Sequence, residues 1–251
     1  MIFTLATREL KSLFLSPLAW SVLAILQFIF GYLFLGQLDL YIQVQPKLST
    51  LADAPGLTEI VITPMFSNAA MILLLVMPLL TMRLISEEKR NCTLTLLLSA
   101  PISITEIIIG KYLSIIGFIC ILLCLMALMP LSLLLGGNLD FGMVASGFFA
   151  LFLLLSSFAA IGLYMSTLTN QPVIAAISSF SVILLLWLVD WTAELTGSAT
   201  SNVMHYLSIL QHYQPLINGV FKSSDIVYYL LFITLFLTLS IRRLNAERLQ
   251  N

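Results

Sequence analysis

Long apolar segments separated by short polar stretches dominate the pattern of this chain. A helix that crosses a bilayer needs roughly 20 predominantly apolar residues, and six segments meet or approach that length. They lie near residues 18–38, 64–82, 107–135, 141–168, 172–189 and 226–241. The pattern therefore predicts an all-α membrane protein with six transmembrane helices, organised as a single domain over residues 1–251.

Local signals mark the start of several of these segments. Pro17, Pro64 and Pro172 each stand near a predicted first helical position, where the missing N–H costs nothing. Ser103 and Glu106 have the spacing of a capping box at the start of the third segment. These positions predict where the helices begin.

Composition agrees with lipid as the solvent. The chain has 251 residues, of which 60% are hydrophobic and 9% charged, whereas a soluble domain has about 25% charged residues. The net charge of −1 argues against a nucleic-acid partner. Three cysteines make no disulfide framework.

The basic residues predict the orientation. Of the 11 Lys and Arg residues, only Lys47 and Lys222 fall on one side of the predicted bilayer. The other nine fall on the opposite side: Arg8, Lys11, Arg83, Lys89, Arg90, Lys111, Arg242, Arg243 and Arg248. Because cytoplasmic segments carry the excess of Lys and Arg, we expect a multi-pass protein with both termini in the cytoplasm.

Residues 1–16 precede the first predicted span and mix apolar with charged side chains. This pattern favours a short helix lying in the membrane interface. A plain cytoplasmic extension of the first span is the alternative.

The predicted spans contain almost no charge. Proton- or ion-coupled carriers and membrane metalloenzymes need carboxylate, Lys or His groups within the membrane, and none occurs between Lys111 and Asp190 other than Asp140 in a connection. No G-x-x-x-x-G-K-[ST] phosphate loop is present. We therefore expect a protein without enzymatic activity or a cofactor of its own, whose energy comes from another subunit.

Five charges cluster at the start of the segment 83–104, between the second and third spans: Arg83, Glu87, Glu88, Lys89 and Arg90. Ser86 is placed to cap a helix. Leu94, Leu97 and Leu98 would form its apolar stripe, and Pro101 would end it. The alternative is that these charges are ordinary cytoplasmic residues at the membrane interface, without a specific role.

The stretch "EEKRNCTLTLLLSAPISITEIIIGKYL", residues 87–113, resembles the cytoplasmic segment of ABC-2-type transporter permeases. The residues that match are Glu87, Glu88, Lys89, Arg90, Thr93, Leu97, Leu98, Pro101, Gly110 and Lys111. Two positions differ: Cys92 stands where that family usually has Gly, and Thr95 where it often has Glu.

This resemblance implies a permease subunit, expected to be an exporter in a bacterial inner membrane. Its implied partners are a cytoplasmic ABC ATPase subunit, which uses the ATP, and a second permease in a homodimer or heterodimer. The residues implied to couple to the ATPase are Glu87, Glu88, Lys89, Arg90 and Thr93. The alternative function is a membrane anchoring or assembly subunit that holds a cytoplasmic partner without transporting a substrate.

The segment 190–225 forms the longest outer connection, between the fifth and sixth spans. The resemblance implies short re-entrant helices there, and Pro215 and Gly219 would interrupt them. His205 and His212 are either a ligand site or two interfacial histidines in a polar loop, and the lack of a third ligand favours the latter.

Residues 206–239 are similar to the gliding-motility-type permeases, a subgroup related to the copper-enzyme-maturation permeases. The positions that carry this similarity are His212, Tyr213, Gly219, Asp225, Tyr228 and Tyr229. Cys120 and Cys124, one turn apart, would suit Cu(I), although packing between helices is the preferred interpretation.

Overall fold

The computed structural model describes residues 2–48, 56–94, 102–133, 139–195 and 208–250. In this part of the chain the regular structure is helical, with no strand. The helices are α1 (Ile2–Leu15), α2 (Pro17–Leu48), a π-helical turn (Thr58–Ile62) running into α3 (Thr63–Thr81), α4 (Arg83–Arg90), α5 (Ile104–Ser132), α6 (Phe141–Leu168), α7 (Pro172–Leu195), α8 (Ile209–Ile217) and α9 (Ser223–Gln250).

Six helical segments of the described residues are long and apolar enough to cross a membrane, which confirms the predicted number of spans. They are Pro17–Pro46, Thr58–Arg90, Ile104–Ser132, Phe141–Leu168, Pro172–Val189 and Ser223–Arg248. The second is longer than predicted, because α4 continues α3 after a single turn residue, Met82. The third begins three residues earlier than predicted and ends at Ser132 rather than 135.

The predicted start signals are confirmed. Pro17 and Pro172 are the first residues of α2 and α7, and Pro64 lies in the first turn of α3. At α5 the Ser103 hydroxyl accepts a hydrogen bond from the Glu106 backbone N–H at 3.2 Å. The Glu106 carboxylate accepts from the Ser103 backbone N–H at 3.1 Å, which completes the capping box.

Helix α6 forms the centre of the bundle. Its most apolar stretch is 72% buried, compared with 22% for the corresponding stretches of α7 and α9. It packs against α3, α5, α7, α8 and α9. Small residues allow the close approach: a Cβ atom at Gly147 would overlap the Phe66 ring, and one at Gly162 would overlap Thr81.

Helix α1 lies across the start of α5. A Cβ atom at Gly110 would come within 2.8 Å of Leu5, and one at Gly117 within 3.3 Å of Leu10. The two glycines are seven residues apart, so they lie on one face of α5. The helix predicted for residues 1–16 is thus present, and its apolar face rests on this glycine face.

Candidate functional site

The end of the bundle that carries the nine basic residues, called the basic end below, holds the predicted coupling segment. Helix α4 is fixed there by its backbone. The backbone N–H groups of Ile85 and Ser86 both donate to the Ser166 hydroxyl of α6, each at 3.0 Å. The same hydroxyl donates to the Met82 carbonyl oxygen at 3.0 Å. One buried serine of α6 therefore joins the end of α3 to the start of α4.

The prediction that Ser86 begins a helix is wrong. Ser86 lies in the middle of α4, which runs from Arg83 to Arg90, and its hydroxyl donates to the Met82 carbonyl oxygen one turn earlier. Since Ser86 is fully buried against the bundle, its side chain is satisfied within the helix. Leu94 is buried, but it lies beyond the end of α4 at Arg90 and so forms no apolar stripe of that helix. Leu97, Leu98 and Pro101 lie outside the described residues.

A buried lysine connects α4 to two other helices. Lys111 of α5 is only 1% exposed. Its ammonium nitrogen lies 2.7 Å from Oε1 of Glu88 and 3.4 Å from Oε1 of Glu9 in α1. A buried ammonium needs such partners to offset its desolvation. Glu9, Glu88 and Lys111 are called the inner triad below.

Lys89 makes a second connection on the other side of α4. Its ammonium nitrogen donates to the Thr167 carbonyl oxygen at the end of α6, at 2.5 Å, and to Oε1 of Glu247 in α9, at 2.6 Å. Arg243 also lies near that carboxylate, with 3.6 Å between Nε and Oε1. Through these contacts α4 is connected to the last turns of α6 and α9.

The remaining predicted coupling residues face outward. Glu87, Arg90 and Thr93 are exposed, as is Arg83. Of these residues, Arg90 lines an open groove of about 610 Å³ between the end of α4 and the turn that joins α6 to α7, together with Asn170 and Gln171. The structure therefore divides the predicted set. Glu88 and Lys89 form ion pairs within the chain, and the Thr93 hydroxyl donates to the Glu88 carbonyl oxygen at 3.3 Å. The exposed side chains of Glu87 and Arg90 are available to a partner molecule.

Sequence reasoning missed the residues that complete these contacts. Three of them, Ser166, Thr167 and Glu247, are 78 to 158 residues distant in sequence from their partners on α4. The fourth, Glu9, is connected to α4 through Lys111. No local pattern marks them. The one available hint was that two carboxylates, Glu9 and Glu247, occur among the cations of the basic termini.

At the opposite end, α8 is fixed to the bundle by side-chain bonds. The Tyr213 hydroxyl donates to the Phe66 carbonyl oxygen at 2.9 Å, and the Tyr229 hydroxyl to the Ile209 carbonyl oxygen at 2.8 Å. The Ser146 hydroxyl donates to the Leu216 carbonyl oxygen. Burial raises the pKa of Tyr213, so its hydroxyl stays protonated and remains a donor. Pro215 lies inside α8 and does not interrupt it, whereas Gly219 follows its end as predicted.

His212 does not lie in a polar loop, so that interpretation is wrong. It is 6% exposed in α8, with Nδ1 2.8 Å from Oδ1 of Asp225 at the start of α9. Its ring stacks on that of Tyr228, with 4.2 Å between centroids. His205 lies outside the described residues. The helical packing of α8 against α9 buries the imidazole that the local sequence placed near water.

Within the described residues, no group of three or more His, Cys, Asp or Glu side chains is arranged to hold a metal ion. Cys120 and Cys124 lie on the exposed surface of α5. The Cu(I) interpretation gains no third His, Cys, Asp or Glu ligand from the described residues.

Comparison with known proteins bears on the whole chain. No curated protein sequence matches it. The family model described as "ABC-2 family transporter protein" matches residues 3–249. The match includes all six membrane-crossing helices and both ends of the bundle, and so the chain belongs to the ABC-2 family of transporter proteins.

Proposed function

We propose that this chain is the permease subunit of an ATP-driven exporter, moved by a separate ATPase that docks on the exposed face of α4. The observation that carries the proposal is the two-sided character of this short helix. One side is bound to α1, α5, α6 and α9 by ion pairs and hydrogen bonds. The other side presents the exposed Glu87 and Arg90, and Arg90 lines the open groove.

The exposed side supplies the docking surface. Glu87 and Arg90 carry opposite charges, and Thr93 and Gln171 add neutral hydrogen-bonding groups beside them. Such a mixed surface suits a polar protein partner, where charge complementarity fixes the register of docking. Glu88 and Lys89 serve this surface indirectly, by fixing the helix that presents it.

The bound side supplies the transmission. A force applied to α4 reaches α1 and α5 through the inner triad. It reaches the ends of α6 and α9 through Lys89. Since α6 is the central helix, displacement of α4 moves the part of the bundle that contacts most other helices.

The orientation and surroundings follow from charge. We assign the basic end and both termini to the cytoplasm of a bacterial inner membrane, because nine of the 11 basic residues gather there. Helix α1 would then lie in the inner interface, and α8 would dip into the outer leaflet. The functional unit would contain a second permease, identical or related. The gliding-motility-type subgroup remains a prediction.

Copurification tests the docking surface. The tagged full chain is purified in mild detergent from cells that also express the ATPase, and the bound ATPase is quantified by mass spectrometry. We expect the double variant Glu87→Ala, Arg90→Ala to lower ATPase recovery about tenfold or more, because charged interface contacts contribute strongly to binding. Lys222→Ala removes an exposed charge at the opposite end and is the matched control.

The inner triad is tested by a different measurement on the same complex. We expect Lys111→Met with Glu88→Gln to leave ATPase recovery near that of the native chain but to reduce substrate-stimulated or permease-stimulated ATP hydrolysis. If no ATPase is recovered with the native chain, the docking proposal is overturned. If ATPase binds but its hydrolysis is insensitive to the permease and its variants, the anchoring function explains the chain better.

A further inference from the structure

A second cavity lies at the basic end, on the membrane-facing side of α4 and separate from the groove described above. It has a volume of about 290 Å³ and lies between α1, the start of α2 and the junction of α3 with α4. This volume is near the lower limit of small-molecule pockets. The cavity therefore has room for a compact polar group rather than for a whole lipid or a large substrate.

The walls of this cavity carry both signs of charge. Arg83 and Glu87, one turn apart on α4, line one side, and Glu9 of α1 lines the other. Within the described residues neither Arg83 nor Glu87 has an ion-pair partner. Ser12 and Ser16 add hydroxyl groups to the same lining. One cation and two carboxylates around one space match a ligand that itself carries both charges.

The membrane-facing part of the cavity is apolar. Leu18 and Leu79 belong to the lining and are partly exposed. Trp20 follows Leu18 by two residues in the first turn of α2 and is 62% exposed, with its indole N–H donating to the Phe14 carbonyl oxygen at 2.9 Å. Exposed tryptophan of this kind marks the level of lipid headgroups. A ligand of this cavity would consequently have a zwitterionic polar group inside it and an apolar part that extends into the bilayer.

We infer that this cavity binds the headgroup of a phospholipid with a primary amine, of the phosphatidylethanolamine class. The guanidinium of Arg83 pairs with the phosphate, because a planar guanidinium matches phosphate oxygens with two parallel N–H donors. The ammonium donates to Glu87 and Glu9, which is possible for a primary ammonium and impossible for a quaternary one. The bound lipid fills the space between α1 and α4; of its charged lining, Glu87 also belongs to the docking side proposed above, whereas Arg83 and Glu9 do not.

The charges also predict which lipids the site rejects. A phosphatidylcholine headgroup has the same phosphate but no N–H donor for the carboxylates. A phosphatidylglycerol headgroup offers Arg83 the same phosphate, but its glycerol is neutral and brings no ammonium for Glu87, which has no ion-pair partner within the described residues. Selectivity for the primary amine is the property that separates this site from ordinary contact with the lipid annulus.

Native mass spectrometry of the full chain, washed in detergent and supplied with one lipid at a time, tests the inference. The three lipids carry identical acyl chains and differ in headgroup: phosphatidylethanolamine, phosphatidylcholine and phosphatidylglycerol. We expect one tightly retained phosphatidylethanolamine per chain, with retention about tenfold lower for the other two lipids. We expect a loss of similar size for phosphatidylethanolamine with Arg83→Gln or with Glu87→Gln.

Arg90→Gln is the matched control, because Arg90 is an exposed arginine of the same helix outside this cavity. Equal retention of the three lipids, or unchanged retention in both cavity variants, would overturn the inference. A competition arm uses water-soluble phosphoethanolamine at millimolar concentration. If this soluble compound binds as tightly as the lipid, the acyl chains contribute nothing and the site takes free phosphoethanolamine, which would overturn the lipid assignment.

Discussion

At the scale of single residues, Cys92 has an unusual backbone conformation for a residue with a side chain. It has φ of 56°, in the left-handed region that side chains disfavour. It follows the end of α4, where the Cys92 N–H donates to the Lys89 carbonyl oxygen at 3.2 Å and the Thr93 N–H to that of Glu88 at 3.0 Å. This is the Schellman arrangement that normally places glycine at this position. Helix α8 ends in the same way, with Gly219 at φ of 82°.

Replacing Cys92 by glycine should therefore stabilise the protein. We expect Cys92→Gly to raise the free energy of unfolding by about 1 kcal/mol, because glycine removes the strain of a left-handed residue. Chemical unfolding of the purified chain in detergent measures the change.

The matched control is Cys120→Gly, within α5. There glycine should lower the free energy of unfolding by about 1 kcal/mol, since it is a poor residue in a helix interior. A loss of stability in Cys92→Gly would show that the thiol contributes more than the backbone strain costs.

At the scale of the elements, α3 and α6 approach one another through glycine. A Cβ atom at Gly162 would overlap the side chain of Thr81. Thr81 is fully buried, and the Thr81 hydroxyl donates to the Met77 carbonyl oxygen at 2.9 Å. Gly36 in α2 has no atom within 4 Å of the corresponding position. Replacing glycine by alanine at each of the two sites therefore distinguishes the effect of helix packing on stability from the effect of helix propensity.

We expect Gly162→Ala to lower the free energy of unfolding by about 1–3 kcal/mol, as overpacking of a close contact does. Gly36→Ala should leave it unchanged or raise it slightly. Thermal unfolding of both variants in the same detergent provides the comparison. If Gly162→Ala and Gly36→Ala have equal unfolding midpoints, α3 and α6 accommodate the added methyl group without a loss of stability.

The inner triad also belongs to this scale, since it joins three helices. Lys111→Ala leaves the carboxylates of Glu9 and Glu88 together without their ammonium, and we expect a loss of about 3 kcal/mol in the free energy of unfolding. Adding Glu88→Gln should recover part of it. Chemical unfolding compares these two variants with Glu88→Gln alone, and additive losses would show that the pair is not coupled.

At the scale of the whole molecule, the two ends differ in charge, and this difference predicts which side of the membrane each faces. Cys92 is exposed at the basic end, and Lys222 is exposed at the other. In a chain with Cys120→Ser and Cys124→Ser, a membrane-impermeant maleimide should label Cys92 in inside-out vesicles and not in intact cells.

Lys222→Cys, placed in the same chain after Cys92→Ser, should give the reverse result. Labelling of Cys92 in intact cells would contradict the assignment of the basic end to the cytoplasm. Both positions lie outside the most apolar parts of the helices, so access of the reagent reports sidedness.

The amino-acid sequence by itself determined the number of spans, their approximate bounds and several of their starts. These features depend on properties that add along the chain: the transfer of 20 consecutive side chains into lipid, the missing N–H of proline, and the three-residue spacing of Ser103 and Glu106. The six predicted spans were therefore correct in number, and the fourth was correct in both bounds, at Phe141 and Leu168.

Only the tertiary structure decided which charges are available and which are occupied. Lys89 and Glu247 are 158 residues apart, and they meet because α4 and α9 both end beside α6. Ser86 turned inward rather than capping a helix, and His212 became buried, for the same reason. The packing of helices brings distant groups together, and that packing depends on the shapes of whole surfaces rather than on any local pattern.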